Sequence, residues 1–395
     1  MRNNKILLSA FLLLQLGDSC LAVAKESLCI LFLVDQFPSL PETFVLNQIT
    51  GLIDRGHNVY ILARLPENGE IVHADFKKYK LEMHTHYQSK SYEDGMPPSL
   101  QNIDPDILFC HFGLQGNYGL QLKKKYFSRA KLITVFHGYD MSRLLNEKPD
   151  LYKELLPALD LALPISQAWR KKLIKMGSNK NKTIVHHMGI ECSQFTFQPR
   201  QLHKNETIEF ISIARLVEKK GIQYALQAFA QTKQEHSNIH YTIIGDGPLR
   251  NELLKEAKEL GISNNVSFRG WQESQQVAIA LNKAHIMIAP SVTSVKGDME
   301  GIPVSLMEAM ATGLPVLSTN HSGIPELIDH GISGYLSPEK DVQQLAANMQ
   351  FMIQNPGLWP TIGLAGRQKV ENEFNIITLN DQLEQMLFKL IEDKI

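Results

Sequence analysis

Glu300 and Glu308 bracket the run Glu-Gly-Ile-Pro-Val-Ser-Leu-Met-Glu, two carboxylates flanking what reads as a loop entering a short helix. Pro303 suits the first helical position, where its missing N–H would have no partner anyway, and Gly313 suits the residue just past the end. The unpaired N–H groups at such a helix start, with the positive end of the helix dipole, make an anion site that can take a diphosphate. Glu308 follows Pro303 at a helical distance of roughly 7 Å, at about 1.5 Å per residue. Carboxylates only accept hydrogen bonds, so one on each side of a diphosphate suits hydroxyl-rich groups such as a ribose and a hexose. Two acids at this spacing are more often solvated residues on an ordinary amphipathic helix, here with Val304, Leu306, Met307, Ala309 and Met310 as its apolar side. The flanking residues must decide.

Other candidates sit at strand ends. Arg215 and Lys220 lie in Ala-Arg-Leu-Val-Glu-Lys-Lys-Gly221, between a strand and a helix, where two fixed cations could neutralise a diphosphate leaving group or simply be solvated. His137, in Thr134-Val-Phe-His-Gly-Tyr-Asp140, stands where a strand becomes a loop, and Gly138 beside it leaves room for close approach. Gly245-Asp-Gly-Pro248 has the look of a dinucleotide turn, but Arg250 stands where the third glycine belongs, so an NAD reading is weak. Asp104-Pro-Asp106 offers a D-x-D metal clamp on paper and an ordinary strand entry in context. Glu42 and Thr43 either read acceptor hydroxyls at a cleft mouth or cap the helix that follows.

The run from Glu300 to Val316, followed by Ser322-Gly-Ile-Pro-Glu-Leu-Ile328, resembles the donor-site signature of retaining glycosyltransferases of family 4. The Arg215–Gly221 stretch is similar to that family's R-x4-K-G motif. Asp35-Gln-Phe-Pro-Ser-Leu-Pro-Glu-Thr-Phe44 resembles the FPxLSETF segment of a subgroup making extracellular polysaccharides, including those of the colanic acid and amylovoran pathways, with Pro41 where serine is usual. The likeness covers nearly all of residues 28–395. It implies an α/β GT-B fold, two Rossmann-like parallel-sheet domains facing across a cleft. It implies that Arg215 and Lys220 hold the donor diphosphate, Glu308 the ribose hydroxyls and Glu300 the transferred sugar. The backbone around Gly301, Ile302, Pro303, Val304 and Ser305 would complete the phosphate site, and His137 would meet the sugar and diphosphate from the opposite domain. Gly245 and Gly247 would border the donor, and Phe268-Arg-Gly270 would face its base.

The activity so implied is transfer of a hexose from a nucleoside diphosphate sugar, with retention, to a growing and lipid-linked oligosaccharide in exopolysaccharide, capsule or lipopolysaccharide biosynthesis. It needs neither metal nor cofactor, and the leaving phosphate itself accepts the proton on the same face. The alternatives are a GT-B nucleotide-sugar epimerase, which would have no use for an acceptor loop at Glu42, and a non-catalytic nucleotide-sugar-binding component of a polysaccharide assembly complex.

The elements that must position these residues follow from the apolar pattern. A chain of 395 residues, 44% hydrophobic and 21% charged, is long for one core and ordinary for two domains. A net charge of −1 gives no general attraction to nucleic acid, and four scattered cysteines form no CxxC pair. Short apolar runs at 28–34, 59–63, 107–111, 131–136, 159–164 and 183–187 read as strands, with helices at 43–55 and 167–176. A second series has strands at 208–213, 239–244, 266–269 and 285–289, with helices at 221–232, 250–260 and 277–283, and residues 359–395 read as helical throughout. The expected division is an acceptor-side domain at 25–192, a linker at 193–206, a nucleotide-sugar domain at 207–375 and a helix at 376–395 crossing back.

Residues 1–24 carry basic residues, an apolar run from Ile6 to Leu16 and Ala22-Val23-Ala24, the pattern of a signal peptide. Eleven apolar residues are too few to span a bilayer, which takes about 20. Because activated sugars are made in the cytosol, the readings in order are a start site assigned too far upstream, a weak membrane anchor, and true export. A cytoplasmic protein, peripheral at the inner face of the membrane, is the expectation. Between Arg170 and Lys182 six basic residues and no acid alternate with Trp169, Leu173, Ile174 and Met176, which suits either an anionic membrane surface or a solvated helix.

Overall fold

The computed structural model describes residues 27–39, 42–64, 74–88 and 98–394. The signal-like segment and Pro41 lie outside the described residues. Two six-stranded parallel sheets carry the molecule. The first half runs β1 (Cys29–Gln36), α1 (Thr43–Asp54), β2 (Asn58–Arg64), α2 (Ala74–Lys78), β3 (Thr85–Gln88), β4 (Ile107–His111), α3 (Gly113–Lys125), β5 (Lys131–Phe136), α4 (Arg143–Glu147), α5 (Leu155–Ala158), β6 (Leu161–Pro164) and α6 (Gln167–Lys175). The second runs β7 (Ile208–Ile213), α7 (Ile222–Glu235), β8 (Ile239–Ile244), α8 (Arg250–Glu259), β9 (Val266–Gly270), α9 (Ser274–Lys283), β10 (Ile286–Ala289), α10 (Val304–Ala311), β11 (Val316–Thr319), α11 (Ile324–Leu327), β12 (Tyr335–Ser337), α12 (Val342–Gln354), α13 (Trp359–Glu373) and α14 (Ile376–Ile391).

The strand orders are β3-β2-β1-β4-β5-β6 and β12-β11-β10-β7-β8-β9, the same doubly wound arrangement twice. Helices on both faces bury the middle of the central strands, which is why β1, β4 and β5 read as continuous apolar runs. Each sheet reverses its order between its first and fourth strands. The crevice at that switch point receives the loops after β1 and β4 in one domain, and after β7 and β10 in the other. The residues singled out above for their chemistry lie on or near these loops.

Two stretches of chain cross between the domains, and they run side by side. Ile190 and Asn375 form a parallel bridge, with Ile190 N–H donating to Phe374 O and Ile376 N–H to Ile190 O, both at 2.9 Å. Beyond this crossing α14 belongs to the first domain. Leu383, Leu387 and Leu390 join its core, Arg55 pairs with Asp381 at 2.5 Å, and the buried His57 and Glu384 meet at 3.1 Å.

The structure corrects several expectations. Residues 359–391 are two helices, broken at Phe374 and Asn375 where the chain crosses. Residues 183–187 make one bridge, Ala162 to Thr183, instead of a strand. Pro303 precedes α10 in extended conformation, with ψ 124°, and the first helical residue is Val304. Trp169 and Leu173 are buried in the core, and Arg170 spends its guanidinium on the carbonyls of Thr183 and Lys180. Of its six basic residues Lys171, Lys175 and Lys180 are exposed, a basic surface that does not carry Trp169 and Leu173 with it. Among the described residues no helix is long and apolar enough to cross a membrane.

Candidate active site

Glu300 lies on the long loop between β10 and α10, with its carboxylate between two ammonium groups. Lys219 Nζ is 3.2 Å from Oε1 and Lys220 Nζ 2.8 Å from Oε2, and Lys219 also reaches Asp298 at 3.3 Å. Burial opposes the charge, but the pull of Lys220 and Lys219 outweighs it and holds Glu300 at about 2. Both lysines come from the turn after β7, which is fastened to the Glu300 loop by Val292 N–H donating to Lys219 O at 2.9 Å. Arg215, on the same turn, is exposed. Its neighbour Leu216 bonds through its N–H to Asp246 O at 2.9 Å. Gly245 and Gly247 back this turn so closely that a Cβ on either would stand 1.9 Å from Ala214 O or 2.5 Å from Leu216 O. Their glycine character is therefore accounted for by packing against the Arg215 turn.

No side chain caps α10, so N–H groups of its first turn remain available to an anion. Glu308, one turn further on, lines a cavity of about 340 Å³ between the domains, together with Val304, Thr43, Asn47 and Gln272. It has no cation to match those of Glu300, and burial raises it to about 7.

The first domain supplies the facing wall. His137, at the end of β5, is buried and held below its ordinary value, at about 3, by that burial, so its ring is neutral. Its backbone N–H donates to Asp140 Oδ1 at 3.0 Å, while Asp140 Oδ2 accepts from Gly113 N–H at the start of α3, also at 3.0 Å. Its Nε2 meets Nδ1 of His111 at 3.2 Å, and Phe112 and Phe44 pack on the ring with centroids at 4.3 and 4.8 Å. Gly138 then touches the Glu300 loop itself. A Cβ there would stand 2.8 Å from Met299 O and 3.1 Å from Gly301 N, and Met299 N–H donates to Ser142 Oγ at 3.1 Å. A second contact across the cleft has Glu326, at α11, accepting from Gln167 N–H at 2.8 Å and pairing with His187 at 3.0 Å.

The structure thus brings Glu300, Lys220, His137 and the start of α10 into one place, with Arg215 exposed on the flanking turn and Glu308 facing the cavity beside it. Thr43 lines that same cavity. Glu42 precedes α1 without capping it through its side chain, and its carboxyl is raised to about 7 by burial and by the nearby charge of Asp35. Asp106 is taken up structurally, accepting from Cys29 N–H at 2.7 Å to tie β4 to β1. The sequence reading missed Lys219, although it stands beside Lys220, and it missed His111 and Asp140, whose partners are fixed only by the fold.

Two family models cover the chain, Glycosyltransferase Family 4 over residues 41–194 and Glycosyl transferases group 1 over residues 193–369. The amylovoran biosynthesis glycosyltransferase AmsK of Erwinia amylovora is 38% identical across 91% of this chain and 99% of its own length. WcaL of Escherichia coli K12, described as a colanic acid biosynthesis glycosyltransferase, is 35% identical across 90% and 98%. Among solved structures, HepE of Anabaena in complex with UDP matches with a TM-score of 0.74 at 19% identity, over 92% of this chain and 100% of that one. Its complex with UDP-glucose matches at 0.72 and 19%, over the same shares. The two parallel sheets are those of the GT-B fold, and the chain belongs to the family 4 glycosyltransferases, among those of exopolysaccharide biosynthesis.

Proposed function

We propose that the chain transfers a hexose from a nucleoside diphosphate sugar to a lipid-linked oligosaccharide, with retention of configuration. The observation that carries this reading is the Glu300 carboxylate, held charged by Lys219 and Lys220 beside the uncapped start of α10 and faced by His137 and Gly138 from the other domain. A diphosphate at that helix start would lie within the field of Lys220 and the exposed Arg215. An ammonium has three donors, so Lys220 can keep Glu300 and still donate to a phosphate oxygen as leaving-group charge grows. Glu300 would then accept from hydroxyls of the transferred sugar, and Glu308 from those of the ribose in the interdomain cavity.

In the retaining route we favour, the acceptor hydroxyl attacks from the face the diphosphate leaves, and its proton passes to a leaving phosphate oxygen. The cationic side chains and the helix dipole take the part a metal would otherwise play. Because activated sugars are made in the cytosol, we place the reaction there, at the inner face of the membrane, with Lys171, Lys175 and Lys180 turned toward anionic lipid.

The test is to incubate the protein lacking residues 1–24 with UDP-, GDP- and ADP-sugars and measure nucleoside diphosphate release, with EDTA present and absent, beside Arg215→Ala. The UDP and UDP-glucose complexes of HepE make UDP-hexoses the first to try. Release from one donor that survives EDTA and is lost in Arg215→Ala is expected. Absence of both turnover and binding with every donor would sink the transferase reading, and inversion at the anomeric carbon of the product would sink the retaining one.

A further inference from the structure

The Glu300 loop is also held from behind. The Glu300 N–H donates to Nε2 of His321 at 2.9 Å, and the His321 side chain is completely enclosed. Nδ1 of the same ring lies 2.6 Å from Glu339 Oε1. Glu339 reaches the far end of the loop as well, accepting from Thr293 N–H at 2.6 Å and from the Thr293 hydroxyl at 3.3 Å. A backbone N–H can only donate, so Nε2 must present its lone pair and the ring proton must sit on Nδ1, donated to Glu339. The geometry therefore selects one neutral tautomer. These contacts join the chain after β10, β11 and β12 into one bracket around Glu300, whose carboxylate is fixed from the other side by Lys219 and Lys220.

We propose that His321 and Glu339 are positioning residues for transfer: Glu339 sets the tautomer of His321, and His321 holds the Glu300 backbone where its carboxylate meets the transferred sugar. The role rests on the reading of Glu300 as the sugar-facing acid. Their side-chain hydrogen bonds go to Glu300, to Thr293 and to each other, and not to α10 or Arg215, so their removal should act on turnover more than on donor affinity. A displacement of about 1 Å in a positioning group can cost on the order of 100-fold in rate.

Two measurements test this on the same protein. In full-length chain labelled with 15N-histidine, long-range proton–nitrogen correlation should show a ring with Nδ1 protonated and Nε2 bare, and that ring should vanish in His321→Gln. A vanished ring of the Nε2–H form, or a doubly protonated one, overturns the bracket. With the donor that the wild type turns over, His321→Ala should lose about 30-fold in kcat with KM within about 3-fold. His321→Gln, whose amide oxygen can still accept from Glu300 N–H, should recover to within about 5-fold of wild type. Binding of UDP by calorimetry checks that both variants are folded. Unchanged kcat in His321→Ala, or a glutamine variant no better than alanine, overturns the positioning role. A wild type that neither turns over nor binds any donor sinks the transferase reading and this role with it, whereas an active wild type with an equally active His321→Ala sinks the role alone.

Discussion

Glu300 and Glu308 share one short stretch and one side chain, yet their environments push their proton affinities apart, to about 2 and about 7. The difference is the supply of cations, since both are partly buried and only Glu300 has lysines. For Glu308 the raised value means that its contribution to stability is fully present below the ordinary carboxyl range and is lost as pH rises through about 7. Glu308→Gln should therefore remove the Glu308 share of the pH dependence of stability between about 4.5 and 7, leaving the variant about 1–2 kcal/mol more stable than wild type at pH 8. Urea unfolding at pH 5 and pH 8 measures it. On the function proposed above, the same variant should bind UDP about 10-fold more weakly, since the carboxylate assigned to the ribose hydroxyls is gone. Lys219→Ala should lower turnover about 10-fold and raise the acid limb of the pH profile, because Glu300 keeps only one of its two cations. The sequence showed the two acids and one lysine of this group through a known motif. It could not show Lys219, His321 or Glu339 as members, because their partners lie across the β-sheet crevice and only folding brings them within reach.

The elements missed in the sequence share a cause. β3, Thr-His-Tyr-Gln, is a four-residue edge strand with no apolar run to mark it. α3 contains three glycines, which weaken a helix, yet it forms because those positions let it lie directly on the sheet. A Cβ at Gly116 would stand 2.6 Å from Thr134 Oγ1, and one at Gly119 2.6 Å from Cys110 Sγ. Tertiary packing overrides local preference there, and no window of sequence shows it. The long central strands were legible because burial on both faces demands unbroken apolar residues. A similar close approach governs the helix that carries the anion site. A Cβ on Gly363 of α13 would stand 2.2 Å from Gly313 O, just past the end of α10. Gly363→Ala must push α10 away, at a cost of about 1–3 kcal/mol and with weaker UDP binding. Thermal unfolding with and without UDP separates the two effects.

At the scale of the whole molecule the contacts that close the cleft include the Glu300 loop on Gly138 and Ser142, and Glu326 against Gln167 and His187. Glu326→Ala removes the second set, which is worth about 1–3 kcal/mol to the closed form, while leaving both cores intact. Small-angle scattering of the nucleotide-free variant should show a larger radius of gyration than wild type, and added UDP should narrow the gap. An unchanged radius would mean that the contacts of the Glu300 loop with Gly138 and Ser142 suffice to hold the domains together. The paired crossings at Ile190 and Asn375 determine what form that opening can take. One strap would allow the halves to swing, twist and slide. Two straps hydrogen-bonded to each other leave a single easy rotation, about the line that joins them, and resist torsion between the halves. A cleft opening on this hinge would trace one arc in both directions and would return Gly138 to the same spot beside Met299 and Gly301, with no search over relative orientations.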